Sequence, residues 1–221
     1  MAEMHDATEE YLETIFEIEE EGITPLRARL VERLGLSAAA VSETVGRLVG
    51  KGYAELAEDR SVHLTPKGRS LATTMVRRHR LAERLLTDVI GLEWEKVHRE
   101  AARWEHAISA DVEEKLVLLL GDPVTCPHGN PIPGSQRRAK QTPTVALAGA
   151  PPGPVTVARI SEKLELDDDS LHLLARARLI PGCAATVLEP DGDDDGIRVR
   201  TAVGEQSVPR TVAEQMFVAA A

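Results

Sequence analysis

Cysteine is almost absent from this 221-residue chain. Cys126 and Cys183 stand far apart and form no Cys-x-x-Cys pair, which excludes a disulfide framework and fits a reducing cytoplasm. No apolar run is long enough to span a bilayer, and the first residues lack a basic stretch followed by an apolar one, so neither a membrane anchor nor a secretory leader is expected. Aromatic residues are only 3%, yet 43% of the chain is hydrophobic, enough for a real core divided among two small domains or three very small ones. No nucleophile motif or phosphate-cradling loop is evident, which weighs against an enzyme. Basic charge is short as well: a net charge of −10 argues against indiscriminate binding to nucleic acid or acidic membranes. That shortage is uneven. Residues 1–22 carry nine acids and no Lys or Arg, whereas residues 23–69 hold eight basic residues against five acidic ones.

What is present begins with helical spacing of Tyr11, Leu12, Ile15, Phe16 and Ile18, which predicts a helix from Thr8 as N-cap to a stop at Gly22. A short helix from Leu26, a glycine turn at Gly35 and a second helix over 38–49 capped by Ser37 then spell helix-turn-helix. The second helix exposes Ser37, Ala38, Ala39, Ser42 and Glu43 near its start, small enough to enter a major groove, and turns Val41, Val45 and Leu48 inward. Tyr53–Leu56 and Val62–Thr65 predict a hairpin wing around Arg60. Arg27, Arg47 and Arg60 are candidate phosphate contacts, with a solvated surface charge as the bland alternative.

The stretch 77–109 adds a second chemistry. His79 and Glu83, four apart, share one helix face, and His98, Ala102 and Glu105 share another with His106 beside them. Imidazole and carboxylate together suit a divalent transition metal such as Mn, Fe, Co, Ni or Zn. Ordinary hydrogen-bonded histidines remain the other reading. Apolar residues from Leu71 to Ile90 exceed what one small domain needs, and a subunit interface would absorb them. Cys126 and His128 lie in a proline-punctuated loop without a further partner in sequence, so they are not read as a zinc site. Residues 136–154 are rich in Pro, Gly, Ala and Thr and read as a linker. Beyond them Val155, Val157, Ile160, Leu179, Ala185, Val187, Leu188, Ile197, Val199 and Val208 predict short strands between Asp/Gly turns, a small β-barrel. Asp167–Asp169 open a helix.

With the wing and the histidine pairs in place, the chain resembles the diphtheria-toxin-repressor family of metal-dependent regulators, near the iron-dependent regulators of actinobacteria. The similarity is carried by Thr24-Pro-Leu-Arg-Ala-Arg29, Asp59-Arg-Ser61, His79-Arg-Leu-Ala-Glu-Arg-Leu-Leu86, Arg103-Trp-Glu-His106 and Gly129-Asn-Pro-Ile-Pro-Gly134. It implies a mainly α chain with small β parts: a winged helix-turn-helix domain over 1–73, a helical dimerisation and metal domain over 74–140, a linker over 141–153 and an SH3-like β-barrel over 154–221. It implies two ions per subunit. The ancillary site carries over to His79, Glu83 and His98, and its two ligands from the SH3-like domain align with Asp167 and Ser170. The primary site carries over to Glu105, His106 and the carbonyl of residue 102, with Glu10 and Ala102 standing where the iron regulators have methionine and cysteine. The family's anion pocket carries over to Arg80 and Asn130, with Cys126 in place of serine. On the reading helix the family's proline and glutamine are Ala39 and Glu43, and a carboxylate accepts from cytosine N4.

The expectation is therefore a cytoplasmic homodimer, joined through the helical domain, that binds operator double-stranded DNA when Mn²⁺ or Fe²⁺ is bound and so controls metal-homeostasis genes. The hard oxygens of Glu10 lean towards Mn²⁺. The rival readings are a metal-independent winged-helix regulator with structural histidines and a dinuclear metalloenzyme.

Overall fold

The computed structural model describes residues 2–137, 142–189 and 196–221, which form two compact units: Met1–Arg78 with Glu105–Ala107, and His79–Trp104 with Ile108–Ala221. In the first unit, helices α1 (Ala2–Glu20), α2 (Arg27–Leu34) and α3 (Ala38–Gly50) precede a hairpin of β1 (Ala54–Leu56) and β2 (Val62–Leu64). The apolar stripe of α1, Tyr11, Leu12, Ile15 and Ile18, is fully buried against Leu30 of α2 and Val41, Val45 and Leu48 of α3, so amphipathic spacing alone orders the three helices. Helix α1 starts well before Thr8, which is therefore an interior residue and not the N-cap. Gly35 ends α2 in the left-handed region at φ 66°, and the Ser37 hydroxyl accepts from the Ala40 N–H to begin α3. The wing pairs Ala54 with Leu64 and Leu56 with Val62.

Helix α4 (Pro66–Arg84) crosses from the first unit into the second and loosens into a π-turn over Leu85–Ile90. The helical pattern around the histidine pairs divides there into two segments, because Gly91 adopts φ 80° and only a 3-10 turn (Trp94–Lys96) leads into α5 (Val97–Trp104). After α6 (Ala110–Leu120), capped by Ser109, comes the proline loop. The C-terminal part is a six-stranded antiparallel sheet in the order β3 (Val145–Ala146), β8 (Met216–Ala220), β4 (Gly153–Ile160), β5 (Ala184–Val187), β6 (Ile197–Thr201), β7 (Gly204–Val208). Helices α7 (Glu162–Glu165), α8 (Asp168–Ala177) and α9 (Arg210–Ala213) complete it, and Leu164, Leu171, Leu174 and Val212 pack onto strand residues Val155, Val157, Val187, Val199 and Val218.

The linker reading fails at its second half. Val145 and Ala146 pair with Val218 and Phe217, and Leu147 is 1% exposed in the sheet's core, so a two-residue strand hides in a composition that otherwise signals loop. Residues 138–141 of the linker, and the Asp-rich turn at 190–195, lie outside the described residues. Leu179, read as strand, is instead buried just after α8, and Leu188 lies half-buried just beyond β5.

One glycine fixes the loop that matters for function. Gly129 has φ 90°, and a Cβ there would stand 2.1 Å from the carbonyl oxygen of Ala158 on β4. Gly129→Ala should therefore lower stability by at least about 2 kcal/mol, from overpacking plus left-handed strain. Thermal unfolding in chelator checks it; an unchanged midpoint would mean the loop is not held against β4.

Candidate metal centre and nucleic-acid interface

The last turns of α4 place His79 and Glu83 on one face, and the first turn of α5 adds His98. His79 is 6% exposed and Glu83 0%. His79 Nε2 lies 3.1 Å from His98 Nδ1, and Glu83 Oε1 lies 3.3 Å from the former and 3.4 Å from the latter. The expected trio is thus assembled. Two residues that sequence reading passed over complete the cluster: His128, whose Nδ1 is 3.1 Å from Glu83 Oε1, and Glu165, whose Oε2 is 2.8 Å from His128 Nδ1 and 3.0 Å from His98 Nδ1.

The ligands expected from the C-terminal part are corrected here. Asp167 and Ser170 do not join the cluster: Asp167 caps α8, accepting from the Ser170 N–H at 3.4 Å and from its hydroxyl at 2.7 Å. Helix α7, one turn earlier and capped by Ser161, supplies Glu162 and Glu165 at an i, i+3 spacing that puts both carboxylates on one side. Glu162, Glu165 and His98 offer ligand atoms within 4.8 Å of one another.

The residues of the expected anion pocket are occupied by the chain itself. Arg80, fully buried, donates to Glu162 Oε1 at 2.7 Å and to the Pro131 carbonyl, while Asn130 Nδ2 donates to Glu165 Oε1 at 2.7 Å. The anion between them is an internal carboxylate pair, and Cys126, 1% exposed, faces Glu83 and His128.

Burial and mutual charge shift the protons of Glu83, Glu162, Glu165, His98, His128 and Cys126. Burial alone would raise the Glu83 carboxyl, but the charge of His128 and hydrogen bonds from His128, His79 and His98 hold it well below the usual range. Burial likewise works against a charged His98, and its bonds to Glu165 and Glu83 overcome this, lifting it to about 9. His128 is raised too, against burial, by the charges of Glu165 and Glu83. Burial and the neighbouring Glu165 push Glu162 up, and burial pushes the Cys126 thiol up to about 12.

The geometry fits a metal ion. A tetrahedral ion with donors at about 2.0–2.1 Å separates them by about 3.3–3.4 Å, and an octahedral one by about 3.0 Å. The His79, Glu83, His98 triangle has edges of 3.1, 3.3 and 3.4 Å. Glu83 Oε2 is buried with no hydrogen-bond partner, an orphan that an ion would satisfy.

The primary-site residues lie partly in the first unit. Glu105 is 4% exposed and His106 more open, with His106 Nε2 3.4 Å from Glu105 Oε1. A carboxylate reaching His106 from α1 is Glu9, at 2.9 Å from Nδ1, whereas Glu10 is exposed, and its carbonyl accepts from the Thr14 hydroxyl. The adjacent acids made the two hard to separate by spacing. Ala102 is exposed on α5.

On the reading helix, Ser37, Ala39, Ser42 and Glu43 are all exposed, as their spacing requires. Glu43 Oε1 accepts from Arg47 at 2.9 Å, and Arg47 also donates to the Thr44 hydroxyl at 2.7 Å, so the two side chains are paired with each other along the exposed face. Arg60 stands exposed at the wing tip with φ 68°, held by Asp59, which accepts from the N–H and hydroxyl of Ser61. Arg27 is half-buried, its Nε without a hydrogen-bond partner.

The iron dependent repressor N-terminal DNA binding domain matches residues 3–62, and the iron dependent repressor metal binding and dimerisation domain matches residues 65–134. The chain is 48% identical over 197 residues to the iron-dependent repressor IdeR of Mycobacterium tuberculosis, covering 85% of this chain and 86% of that one. It is 45% identical over 200 residues to the diphtheria toxin repressor of Corynebacterium diphtheriae, covering 87% and 88%. A solved manganese-dependent transcriptional repressor in complex with manganese superposes with a TM-score of 0.82 at 31% identity, over 97% of this chain and 100% of that one. With family models matching residues 3–62 and 65–134 and 48% identity to an iron-dependent repressor over 85% of its length, the chain belongs to the iron-dependent repressor family.

Proposed function

We propose that this chain is a DNA-binding transcriptional repressor activated by Mn²⁺ or Fe²⁺, acting in the cytoplasm as a homodimer on operator DNA of metal-homeostasis genes, with two ions per subunit. The observation that carries this reading is the buried imidazole and carboxylate cluster, in one chain with an exposed reading helix and wing. Its functional anatomy is a reading head over 1–73, a helical part over 74–140 and a C-terminal part that begins with β3 at Val145. His79, Glu83 and His98 would hold one ion, with Glu165 and His128 beside them; Glu10, Glu105 and His106 would hold the other. Bound ions supply concentrated positive charge and fixed coordination directions.

The chain's own residues set what such binding does. Helix α1 shares its core with α2 and α3, and Glu9 already ties it to His106, so tightening around Glu105 and His106 orients the reading head. Val89, Ile90, Leu118 and Leu119, each more than half exposed, supply an apolar face for the dimer, which must present two heads at groove spacing.

Selection from a random duplex pool tests the function. A motif should emerge with Mn²⁺ or Fe²⁺ and not with chelator; equal enrichment in chelator would return the chain to the metal-independent reading. Arg60→Ala should weaken binding to every duplex and flatten the salt dependence by about one unit of slope, because a phosphate contact carries no base information. An unchanged slope in fluorescence anisotropy removes Arg60 from the interface. Glu10→Met should shift activation from Mn²⁺ towards Fe²⁺ in anaerobic titration, softer sulfur replacing hard oxygen. If the order and size of the preference stay the same, Glu10 does not set metal choice.

A further inference from the structure

A chain of polar contacts ties the wing turn to α1. Asp59 Oδ1 accepts from the Ser61 N–H at 3.0 Å and from the Ser61 hydroxyl at 2.5 Å. The Ser61 oxygen lies 2.7 Å from His63 Nε2, and His63 Nδ1 lies 3.3 Å from Glu19 Oε1 in the last turn of α1. Arg69 of α4 donates to the other Glu19 oxygen. Ser61 is buried, so its hydroxyl depends on these partners. The charged groups facing His63 are thus Glu19 from α1, Arg69 from α4, Asp59 in the turn and Glu55, its partner across the hairpin on β1.

A proton count shows what the chain needs. The Asp59 carboxyl, held below the usual range chiefly by the Ser61 hydroxyl, only accepts. With its hydrogen given to Asp59, the Ser61 oxygen also accepts, so His63 Nε2 must donate. Glu19, a carboxylate paired with Arg69, accepts as well, so His63 Nδ1 must donate too. A neutral imidazole carries one N–H and completes one of these bonds; an imidazolium carries two and completes both.

We propose that His63 is a positioning residue for DNA binding, a latch closed by one proton that docks the wing on α1 and holds Arg60 in place at the tip. The proton passes from solvent to the imidazole, which then donates to Ser61 and Glu19 together. Its loss opens one link of the chain, either Ser61 to Asp59 or His63 to Glu19. The wing has little else to fix it, being two strands of three residues, and a two-stranded hairpin is marginal alone. A duplex that needs the wing fixed therefore binds the closed form more tightly, and by reciprocity duplex binding favours proton uptake. For its DNA part the latch rests on the repressor reading, which it deepens by adding a proton to the metal as a second condition for binding. Both conditions act on one element, since Glu9 of α1 is the carboxylate 2.9 Å from His106.

Fluorescence anisotropy of the full chain on the duplex motif selected with Mn²⁺, at saturating Mn²⁺, tests this. The metal centre responds to pH as well, so the readout is the difference between proteins. Between about pH 6 and 8, where histidine ordinarily changes charge, the native chain should lose about two- to fivefold more affinity than His63→Gln, the worth of one exposed ion pair. Glu19→Gln should remove the same excess, and the double variant no more. Were His63 only a charge near the phosphates, Glu19→Gln would keep the excess. A second readout needs neither metal nor duplex: in chelator, the Ser61 amide, corrected for its intrinsic exchange rate, should be less protected from hydrogen exchange at pH 8 than at pH 6 in the native chain, with no such change in His63→Gln. Parallel affinity profiles in the native chain and His63→Gln, an excess that survives Glu19→Gln, or Ser61 protection equally pH-dependent in His63→Gln would each overturn the latch. Hydrogen exchange decides the latch even if no duplex is bound, and metal-dependent binding without the pH excess leaves the repressor reading standing.

Discussion

Glu83→Gln is expected to lose metal affinity at the buried centre by at least about 100-fold, since even the outer supports of a metal ligand are worth about 10- to 100-fold and Glu83 is proposed as a direct donor. Its Oε1 lies within 3.4 Å of nitrogens on His79, His98 and His128. An amide in its place removes the charge and leaves protonated imidazoles buried beside a neutral group. Breaking a buried pair in this way costs about 3–5 kcal/mol. The metal-free variant should therefore unfold at a clearly lower temperature than the native chain, and added Mn²⁺ should raise its midpoint little, because stabilisation by mass action needs an intact site. Equilibrium dialysis and thermal unfolding with and without Mn²⁺ check both parts. Native-like affinity in Glu83→Gln would remove the centre from the account.

The second large effect is alkaline. In the metal-free chain His98 is raised from 6.5 to about 9, so its contribution to stability is fully present below pH 6.5 and is lost as pH rises through 9. Over that window His98 alone gives a slope of about 1.4 kcal/mol per pH unit. His128, also raised well above its ordinary value by the charges of Glu165 and Glu83, adds to the alkaline loss. Glu83 and Glu165 are lowered, so their contribution is present above about 4.5 and disappears as pH falls below it. The metal-free protein should be most stable between about pH 5 and 6.5. With metal bound the imidazoles are already deprotonated, so the alkaline loss should disappear and acid should become the more damaging direction, protons competing with the ion. Urea unfolding across this range, in chelator and in Mn²⁺, measures it. A metal-free stability that stays flat from pH 6.5 to 9 would contradict the charged pairing of His98 with Glu165 and Glu83.

The parts of the centre that were legible in sequence are those with local periodicity. His79 and Glu83 are one turn apart on a long helix, and Leu12, Ile15, Val41, Val45 and Leu48 repeat at helical spacing, so the winged head and one edge of the centre can be read without the fold. His128 and the α7 carboxylates depend on long-range closure. Helix α7 is four residues long, too short to show a period, and alignment slides by one turn onto Asp167 and Ser170, which have a similar i, i+3 polar pattern but serve as a cap. The usable signal was Ser161 followed by Glu162 and Glu165, a capping serine with two acids on one face. Cys126 and His128 lacked visible partners because Glu83 and Glu165 lie 43 residues before Cys126 and 37 residues after His128 in the chain. Leu147 was masked by the Pro, Gly and Ala around it, and only pairing of its neighbours with β8 reveals it as core.

Crystals grown with Mn²⁺ and measured at the manganese absorption edge test the metal centre most directly. The expected result is an anomalous peak bonded to His79 Nε2, Glu83 and His98 Nδ1, with Glu83 Oε2 or Glu165 turned onto the ion. A map with no peak there, at a Mn²⁺ concentration that supports DNA binding, would contradict the assignment of this cluster as the centre that senses metal.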